Sequence, residues 1–556
     1  MNPEQLLANL DPEQAAAAQA LRGPTCILAG AGTGKTRTIT HRIAYGIATG
    51  FYSANRVLAL TYTAKAAAEL RTRLRQLGVG SVNAKTFHAA ALSQLEFFWE
   101  QFTGGPAPRV LESKVTLLTK VAQQLRVKID PAGLRDLAAE IEWRKYSMFG
   151  MKEYGAAKRN LPNGLTKTQT LDLMNGYEEA KIAANQIDFE DVLVLCLGML
   201  RAEPRALAHV QQQYRFFTVD EYQDISPLQQ ALLDTWLGDR NDICVVGDPN
   251  QTIYSFTGAS SGFLQSFGTR YENATVTELT SNYRSTQQIV NFANRLVAHE
   301  SPIDTLVSQQ EVGFAPRVLD FENAGDEAAF VASQIREALA KGVKAQDIAV
   351  LYRVNGQSEQ LENALTQAGI EYQLKGGERF FNRAEIQTAM RAIRAEIMAK
   401  TDRSTRETLV AIARGLGWTL SAPDTAGAAR DKWESLNSLL AIMDELPDDI
   451  SLTDFYAELE ERQKSQHEPV KQAVTLATIH AAKGLEWQQV YIYGLTEGYL
   501  PISYAKSPAE ISEEKRLLYV GITRARKQLM LTWSKRDSAN GRDREPSRFL
   551  ATLQHK

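Results

Sequence analysis

Two blocks of this chain show short apolar runs that alternate with segments of helical periodicity. Runs of β-branched and aromatic residues bounded by turn residues are typical of strands, and continuous apolar runs indicate strands buried on both faces. Strands that alternate with helices predict parallel sheets, so we expect an α/β fold with two such sheets. The predicted strands are 25–29, 56–61, 216–220 and 243–247 in the first block, and 348–352, 474–479, 490–495 and 529–533 in the second.

Long segments of mostly helical pattern interrupt both blocks and predict inserted lobes. The second insert is acid-biased around Asp444, Glu445, Asp448 and Asp449. We expect the first α/β domain at 1–110 and 186–275 with its insert at 111–185, and the second at 276–394 and 470–556 with its insert at 395–469.

Composition is that of an ordinary globular protein, with 44% hydrophobic and 23% charged residues among 556. A net charge of −3 provides no overall positive surface, so contact with nucleic acid would require a local groove. No apolar stretch approaches the roughly 18–20 residues of a membrane span, and no signal-peptide pattern opens the chain, so we expect a cytoplasmic protein without membrane contact. Cys26, Cys196 and Cys244 are scattered in apolar surroundings, which predicts reduced core residues rather than metal ligands.

A glycine-rich segment at 29–36 follows the first predicted strand and precedes a helical pattern. This order is what a phosphate-binding P-loop requires, because glycines let backbone N–H groups approach phosphate oxygens. We expect Lys35 at the β- and γ-phosphates and Thr36 at Mg²⁺. A glycine-rich turn is the alternative, since Ala29 replaces the usual first glycine, and a P-loop alone names no reaction. The predicted nucleotide contacts are Ala29, Gly30, Ala31, Gly32, Thr33, Gly34, Lys35 and Thr36.

The predicted strand at 216–220 ends in a second nucleotide element, Asp220 and Glu221. A carboxylate at this position can hold Mg²⁺ directly or through water, while its neighbour orients and deprotonates the attacking water. We assign the metal to Asp220 and the catalytic base to Glu221. Acidic residues also occur at strand ends without a catalytic role, so the assignment depends on the upstream P-loop.

Six segments in fixed order resemble motifs of the UvrD/Rep/PcrA group of superfamily 1 DNA helicases. They are the P-loop, 219–224 (Val-Asp-Glu-Tyr-Gln-Asp), 247–254 (Gly-Asp-Pro-Asn-Gln-Thr-Ile-Tyr), 282–285 (Asn-Tyr-Arg-Ser), 478–487 (Thr-Ile-His-Ala-Ala-Lys-Gly-Leu-Glu-Trp) and 519–526 (Tyr-Val-Gly-Ile-Thr-Arg-Ala-Arg). The resemblance covers nearly the whole chain. It implies two RecA-like P-loop domains, 1A and 2A, with mostly helical inserts 1B and 2B, of which the 2B insert is unusually short.

The same resemblance implies the residues that surround the base and the sugar of ATP. Gln14 matches the residue that reads adenine, Arg37 and Tyr283 match groups that flank the ring, and Glu486 matches the ribose contact. Planar guanidinium and phenol groups suit stacking on adenine. Gln14 taken alone could equally be a surface glutamine.

Three further residues match groups that act on the γ-phosphate. Gln251 matches the γ-phosphate sensor, and Arg284 and Arg524 match arginines that neutralise charge on the transferred phosphoryl group. The resemblance implies that ATP with Mg²⁺ is hydrolysed at the 1A/2A interface. Either arginine taken alone could be a solvated or salt-bridged side chain.

A single-strand track needs a groove that follows the backbone and aromatic rings on which bases stack. Tyr62 or Phe256 could stack on bases or could instead be a core aromatic. His480 could contact DNA or could instead be a hydrogen-bonded structural histidine. Phe256-Thr257 stands where the family usually has Trp-Arg, which predicts a weaker grip on DNA. The DNA contacts that the resemblance implies are Thr61, Tyr62, Thr63, Phe87, His88, Tyr254, Phe256, Arg353, Asn355, Thr478 and His480.

The resemblance implies an ATP-dependent 3′–5′ translocase on single-stranded DNA that also unwinds duplexes. The expected partners are single-stranded DNA, junctions of single and double strands, and unidentified repair or replication proteins, with the chain a monomer or loosely self-associated. Two alternatives stay open. One is a DNA-stimulated translocase that displaces proteins or acts as a subunit with poor unwinding alone; the other is a non-processive, ATP-gated nucleic-acid-binding module.

Overall fold

The chain divides into two compact units, Met1–Tyr283 with His299–Leu306 and Arg284–Ala298 with Val307–Lys556. No helix among the residues described is long and apolar enough to cross a membrane. The computed structural model describes residues 2–129, 131–159, 161–162, 165–298, 300, 303, 305–354, 357–375, 381, 384–399, 403–420, 435–436, 439–440, 442–446, 449–465, 472–503, 505–536 and 543–554.

A six-stranded sheet forms the centre of the first unit, and all its strand pairs are parallel. The strands of this unit are β1 Thr25–Ala29, β2 Val57–Thr61, β3 Asn83–Thr86, β4 Arg109–Val110, β5 Gln186–Ile187, β6 Phe216–Val219, β7 Ile243–Gly247, β8 Thr275–Leu279 and β9 Ser281–Asn282. The order across the sheet is β3-β2-β6-β7-β1-β8, and β4 pairs with β5 at the two ends of the insert.

Helices cover both faces of this sheet. On β2, Val57 and Ala59 pack into one buried cluster and Leu58 and Leu60 into another, as expected for a parallel strand buried on both sides. The α-helices of the unit are Pro3–Leu7, Pro12–Gln19, Lys35–Ala48, Ala64–Gln76, Phe87–Thr103, Lys114–Gln124, Pro131–Tyr146, Met151–Ala156, Lys167–Ala183, Phe189–Ala202, Pro204–Gln213, Pro227–Leu237, Gly262–Gln265 and Phe267–Arg270. Its 3₁₀ turns are Ala54–Arg56, Tyr222–Asp224, Pro249–Gln251 and Ser255–Thr257.

The second unit repeats this plan with its own parallel sheet. Its strands are β10 Val307–Ser308, β11 Arg317–Phe321, β12 Ile348–Tyr352, β13 Tyr372–Lys375, β14 Val474–Thr478, β15 Trp487–Ile492 and β16 Ala525–Ser534, with the sheet order β11-β16-β15-β12-β14-β13. Its helices are Gln287–Val297, Ala324–Ala340, Ser358–Gln367, Ala384–Ala399, Thr405–Gly415, Leu452–Ser465, Pro508–Ile522 and Arg548–Gln554, with 3₁₀ turns at Ala345–Asp347 and Ile442–Glu445. The two parallel sheets confirm the predicted α/β class.

Each insert has a small apolar core of its own. In the first unit this core contains Leu118, Ile141 and Tyr177, which come from three helices between β4 and β5. In the second unit it contains Leu409 and Phe455 together with residues of the helix Ala384–Ala399. The four-part domain division stays a prediction, since the structure supplies only the two compact units and these separate cores.

All eight predicted strands are present, although their ends shift by a few residues. Four strands of the two sheets were not predicted, namely β3, β8, β11 and β13, and they occupy the edges of the two sheets. Because β8 pairs with β1, the first sheet extends beyond residue 275, and the first unit runs to Tyr283. The three cysteines are buried and free.

Candidate nucleotide site and nucleic-acid interface

The P-loop joins the end of β1 to the start of the helix Lys35–Ala48. Gly34, the residue before the helix, has a left-handed backbone with φ of 82°. A Cβ at this position would also lie 2.7 Å from the Nε2 atom of Gln14, so only glycine fits here. The first N–H groups of the helix have no partner within it, which makes this end an anion-binding site.

Lys35 lies over the loop that precedes it. Its Nζ atom donates to the carbonyl oxygens of Ala29 at 3.0 Å and Gly30 at 3.2 Å, and the Thr33 hydroxyl donates to the same Gly30 carbonyl at 2.9 Å. The ammonium group is therefore held at the mouth of the loop, where a bound phosphate would meet it.

Two of the predicted base-binding residues come from opposite ends of the first unit. Gln14 is buried and donates from Nε2 to the Thr33 carbonyl at 2.9 Å, so its amide touches the P-loop. Tyr283 donates from its hydroxyl to Asp11 at 2.6 Å and is 39% exposed. Asp11 also accepts the N–H of Gln14 at 2.7 Å, which ties both residues to one helix start. Arg37, the third member, is exposed and donates to the Asn9 carbonyl at 2.6 Å.

Acidic and amide side chains gather at the carboxyl ends of β6 and β7. These strands pair with each other, and β7 pairs with β1, so their ends lie beside the P-loop. Asp220 is buried, and this burial raises its pKa to about 7; the charge of Glu221 adds to the rise and that of Lys35 opposes it. The sheet thus brings together Lys35, Asp220 and Glu221, as the sequence predicted for one phosphate site.

Glu221 has a left-handed backbone, with φ of 53°, which is uncommon for a residue with a side chain. Such strain costs on the order of 1–3 kcal/mol and is concentrated at functional sites. The amide of Gln223 donates to the Glu221 carboxylate, and its oxygen accepts the N–H of Asp248 at 3.1 Å. Gln223 therefore links the candidate base to the neighbouring strand.

Asp248 orients the predicted γ-phosphate sensor. Its carboxylate accepts from the Gln251 amide at 2.7 Å and from the N–H of Asn250 at 2.9 Å. Burial raises the pKa of Asp248, while the charge of Lys35 opposes the rise. Neither Asp248 nor Gln223 was predicted as a site residue, although both are polar residues that closely follow buried strands.

An aromatic group lies at the same edge of the first sheet. Tyr62, directly after β2, stacks on Tyr254 with ring centroids 5.5 Å apart and planes 11° apart. Phe256 meets Tyr254 edge-on at 6.1 Å and is 56% exposed. Since Tyr254 follows Gln251 by three residues, these rings adjoin the acidic and amide side chains at the ends of β6 and β7.

A second aromatic pair contains His88, which was predicted as a site residue, and Phe189, which was not. His88 stacks on Phe189 with centroids 3.8 Å apart, and its Nε2 atom lies 3.3 Å from the Tyr146 hydroxyl. Burial lowers the pKa of His88 to about 3, helped by the charge of Lys114, so its ring is neutral. Phe189 is 53% exposed at the first position of an amphipathic helix, and that exposed aromatic position is the signal that would have indicated it.

Two other predicted DNA contacts of the first unit, Phe87 and Thr61, lie in its interior, whereas Thr63 is exposed. Phe87 is 2% exposed and stacks on Trp236 at 6.0 Å within the main core, so its ring has no face for a base. Thr61 is also buried, while Thr63 accepts the N–H of Ala66 at 3.1 Å and caps a helix. The structure thus makes Phe87 a core aromatic, which does not fit its predicted role as a DNA contact.

The second unit gathers Arg284, Glu486 and Arg524. Arg284 donates to the Glu486 carboxylate at 2.5 Å and to the Thr523 carbonyl at 3.2 Å. Arg524 is 1% exposed and donates to the carbonyls of Val520 at 2.9 Å and Leu485 at 3.2 Å. Both arginines are therefore held next to one short segment, with Glu486 balancing the charge of Arg284.

Further predicted DNA contacts lie at the ends of β12 and β14. Arg353 makes a two-pronged ion pair with Glu514, with hydrogen bonds of 2.8 to 3.2 Å. Burial lowers the pKa of His480 to about 3, and the charges of Arg353 and Lys483 lower it further, so this histidine is neutral. Thr478 accepts the N–H of Ala481 at 3.3 Å, and Asn355 lies outside the described residues.

Family comparisons agree with this geometry. Residues 10–272 match the family model of the UvrD/REP helicase N-terminal domain. Residues 277–423 and 420–536 match that of the UvrD-like helicase C-terminal domain. The chain belongs to the UvrD-like family of ATP-dependent DNA helicases. This membership confirms the resemblance carried by the six motifs and makes the protein an enzyme.

Similar proteins align with this UvrD-like helicase over most of their lengths. The ATP-dependent DNA helicase UvrD2 of Mycobacterium tuberculosis is 45% identical, with 98% of this chain and 81% of that protein covered. UvrD1 of the same species is 30% identical, with 95% and 82% covered. The ATP-dependent DNA helicase PcrA of Bacillus subtilis is 28% identical, with 99% and 86% covered.

Proposed function

We propose that this UvrD-like helicase hydrolyses ATP to move 3′ to 5′ along single-stranded DNA and separates the duplex ahead of it. The main support is the shared sheet edge, where Lys35, Glu221 and Gln251 follow the ends of β1, β6 and β7 and adjoin the stacked rings of Tyr62 and Tyr254. A change at the phosphate site can therefore reach the aromatic rings through a few residues. The similar proteins are named ATP-dependent DNA helicases, which supports ATP and DNA as substrates.

In this proposal the first unit holds the phosphates of ATP. Backbone N–H groups of the P-loop and Lys35 bind them, Glu221 deprotonates the attacking water, and Gln251 senses the γ-phosphate from its position on Asp248. Thr36 and Asp220 would hold Mg²⁺. The buried Asp220 carboxyl fits a cation ligand, because its surroundings hold too little positive charge to keep its pKa low. Bound Mg²⁺ supplies neutralisation of phosphate charge.

The second unit supplies Arg284 and Arg524 to the transferred phosphoryl group, and Glu486 to the ribose. We propose hydrolysis at the interface of the two RecA-like domains, with Gln14, Arg37 and Tyr283 around adenine. Support comes from the motifs and from the hydrogen bonds that hold both arginines beside Thr523. Guanidinium groups there would stabilise the charge that develops on the phosphoryl oxygens.

Single-stranded DNA would stack on exposed and half-buried rings of the first unit. We assign this role to Tyr62, Tyr254, Phe256, His88 and Phe189, each base–ring contact being worth about 1–3 kcal/mol. Support comes from the exposure of Phe256 and Phe189 and from the mutual stacking of these rings. Junctions with duplex DNA and a cytoplasmic location belong to the same proposal.

Unwinding of tailed duplexes tests this function. A duplex with a 3′ single-stranded tail should be separated with ATP, while a 5′-tailed or blunt duplex should remain paired. Glu221→Gln is the matched control, since it keeps the P-loop and removes the proposed base. Preferred unwinding of the 5′-tailed duplex would refute the polarity, and equal unwinding without ATP would refute the coupling.

A second candidate is a single-strand translocase that displaces proteins and unwinds poorly alone. It is favoured by Phe256, an exposed ring smaller than the tryptophan usual in the family, and by the short second insert. Displacement of streptavidin from a 5′-biotinylated oligo-dT, without unwinding of 3′-tailed duplexes, would support this candidate over the first.

A further inference from the structure

Two passages of the chain lead from the first unit to the second directly beside the P-loop. The first follows Tyr283 and the second follows Leu306. The residues just before each passage contact successive positions of the P-loop backbone. None of these contacts requires nucleotide, so the P-loop is tied to both passages by the fold itself.

Asn282 makes the contact at the first passage. Its side chain is 2% exposed, and its Nδ2 atom donates to the Ala31 carbonyl at 2.6 Å. The next N–H, that of Tyr283, donates to the Gly32 carbonyl at 2.9 Å. Leaving a buried carbonyl without its donor is destabilising, so the loop and this segment are held together.

Leu306 makes the contact at the second passage. It is 6% exposed, and its Cδ2 atom lies 2.4 Å from where a Cβ at Gly30 would be. The leucine can approach so closely only because residue 30 has no side chain. Side chain and loop therefore fit one another, and a displacement of the loop displaces Leu306.

Both passages meet again inside the second unit. Just after the first, the Ser285 hydroxyl donates to the Ala525 carbonyl at 2.6 Å. Just after the second, the Ser308 hydroxyl donates to the Ser285 carbonyl at 2.7 Å. Ala525 is the neighbour of Arg524, so the two segments converge on the residue proposed to act on the phosphoryl group.

We propose that Asn282 and Leu306 are positioning residues that transmit the structural effect of nucleotide binding from the P-loop to the two passages. In this way they determine how much bound nucleotide changes the affinity for single-stranded DNA. When phosphate binds, its oxygens accept hydrogen bonds from the N–H groups of the loop and attract the loop toward the ligand. The loop moves with the residues packed against it, and the chain passes this movement to the second unit, which carries the predicted DNA contacts Thr478 and His480. This inference rests on the proposed function, because it takes single-stranded DNA as the second ligand.

The test measures the coupling between the two ligands. Fluorescence anisotropy gives the Kd of a labelled oligo-dT with and without a non-hydrolysable ATP analogue, and the ratio of the two values is the coupling factor. The variants are Asn282→Ala, Leu306→Ala and the volume-conserving Leu306→Met. Matched controls in the same segments are Thr280→Val, whose hydroxyl bonds to Glu13, and Ile303→Ala, which is equally buried at 6%.

We expect the ATP analogue to change the Kd of the wild type for oligo-dT by about tenfold or more. In Asn282→Ala and Leu306→Ala it should change the Kd by about twofold or less. Leu306→Met and both controls should keep the wild-type factor. A purely structural role would lower the melting temperature and both affinities without changing their ratio.

Wild-type coupling in both alanine variants would overturn the inference, as would its loss in the two controls. A wild type that binds oligo-dT without any nucleotide effect would overturn it too. Failure of the wild type to bind oligo-dT at all would instead overturn the proposed function. If Leu306→Ala does not fold, Asn282→Ala decides the question: a wild-type coupling factor in that variant overturns the inference.

Discussion

Glu327 is a buried acid whose stability contribution can be worked out from the structure. Its side chain is fully buried in the second unit, where its carboxylate accepts the Gly494 N–H at 2.8 Å and the Thr532 hydroxyl at 2.6 Å. Burial raises its pKa from 4.5 to about 7, while the hydrogen bonds from Thr532 and Gly494 and the charge of Arg544 oppose the rise. The folded protein therefore favours the protonated, neutral form of this carboxyl.

The sign of the pH dependence follows from this rise. Below pH 4.5 the carboxyl is protonated in both the folded and the unfolded chain, so the folded state carries no buried charge. As the pH rises through 7, the folded chain must ionise a buried group, and the stabilisation is lost. A rise from 4.5 to about 7 corresponds to a loss of about 3 kcal/mol, at 1.36 kcal/mol per pKa unit.

Glu327→Gln should remove this pH dependence, because glutamine is neutral and keeps an oxygen for the same two donors. We expect the variant to match the wild type near pH 5 and to be more stable by up to about 3 kcal/mol near pH 8. Hydrogen exchange of peptides that cover β16, Ala525–Ser534, measures the opening free energy of this sheet without assuming that the whole chain unfolds at once.

Glu322→Gln is the matched control, since Glu322 lies exposed beside Lys535 in the same unit. An exposed ion pair contributes little, so this variant should follow the wild type across the pH range. The reasoning is refuted if Glu327→Gln stays level with the wild type at pH 8, or if its advantage is larger at pH 5 than at pH 8.

Three further predictions concern the proposed motor. Glu221→Gln should abolish ATP turnover yet retain fluorescent ATP analogue, whereas Lys35→Ala should lose turnover and binding together; near-normal turnover in Glu221→Gln would remove that residue from the base role. Arg524→Ala should lower kcat by about 10³-fold with a smaller effect on ATP affinity, and an unchanged DNA-stimulated rate would contradict its proposed role. The double substitution Phe256→Trp with Thr257→Arg should tighten oligo-dT binding by about 1–2 kcal/mol in salt-dependent anisotropy titrations; unchanged affinity would place these positions away from the track.

The local pattern of the sequence sufficed for the centre of each sheet. The predicted strands β1, β2, β6 and β7 are buried on both faces, so they appear as unbroken apolar runs. The edge strands β3 and β8 were missed because they carry polar residues, as in Asn83–Thr86, and resemble loops in the sequence. Their pairing depends on the neighbouring strand, and no local pattern encodes that neighbour.

Motif chemistry likewise sufficed to group the residues of the proposed phosphate site. Lys35, Asp220 and Glu221 follow strands directly, and parallel strands bring their carboxyl ends to one edge. The family match adds Gln14, which the structure places on the P-loop. The sequence could place these residues near one another because each has a fixed position relative to a strand or helix end.

Only the tertiary structure decided which aromatic rings are available to a ligand. Phe87 and Phe256 were both predicted to contact DNA, yet Phe87 packs on Trp236 inside the core and Phe256 is 56% exposed. Phe189 meets His88 across about a hundred residues of chain, and Leu306 reaches Gly30 across a still longer separation. Burial and such distant contacts depend on how separate elements pack together, whereas the sequence around one residue determines only its own backbone tendency and chemistry.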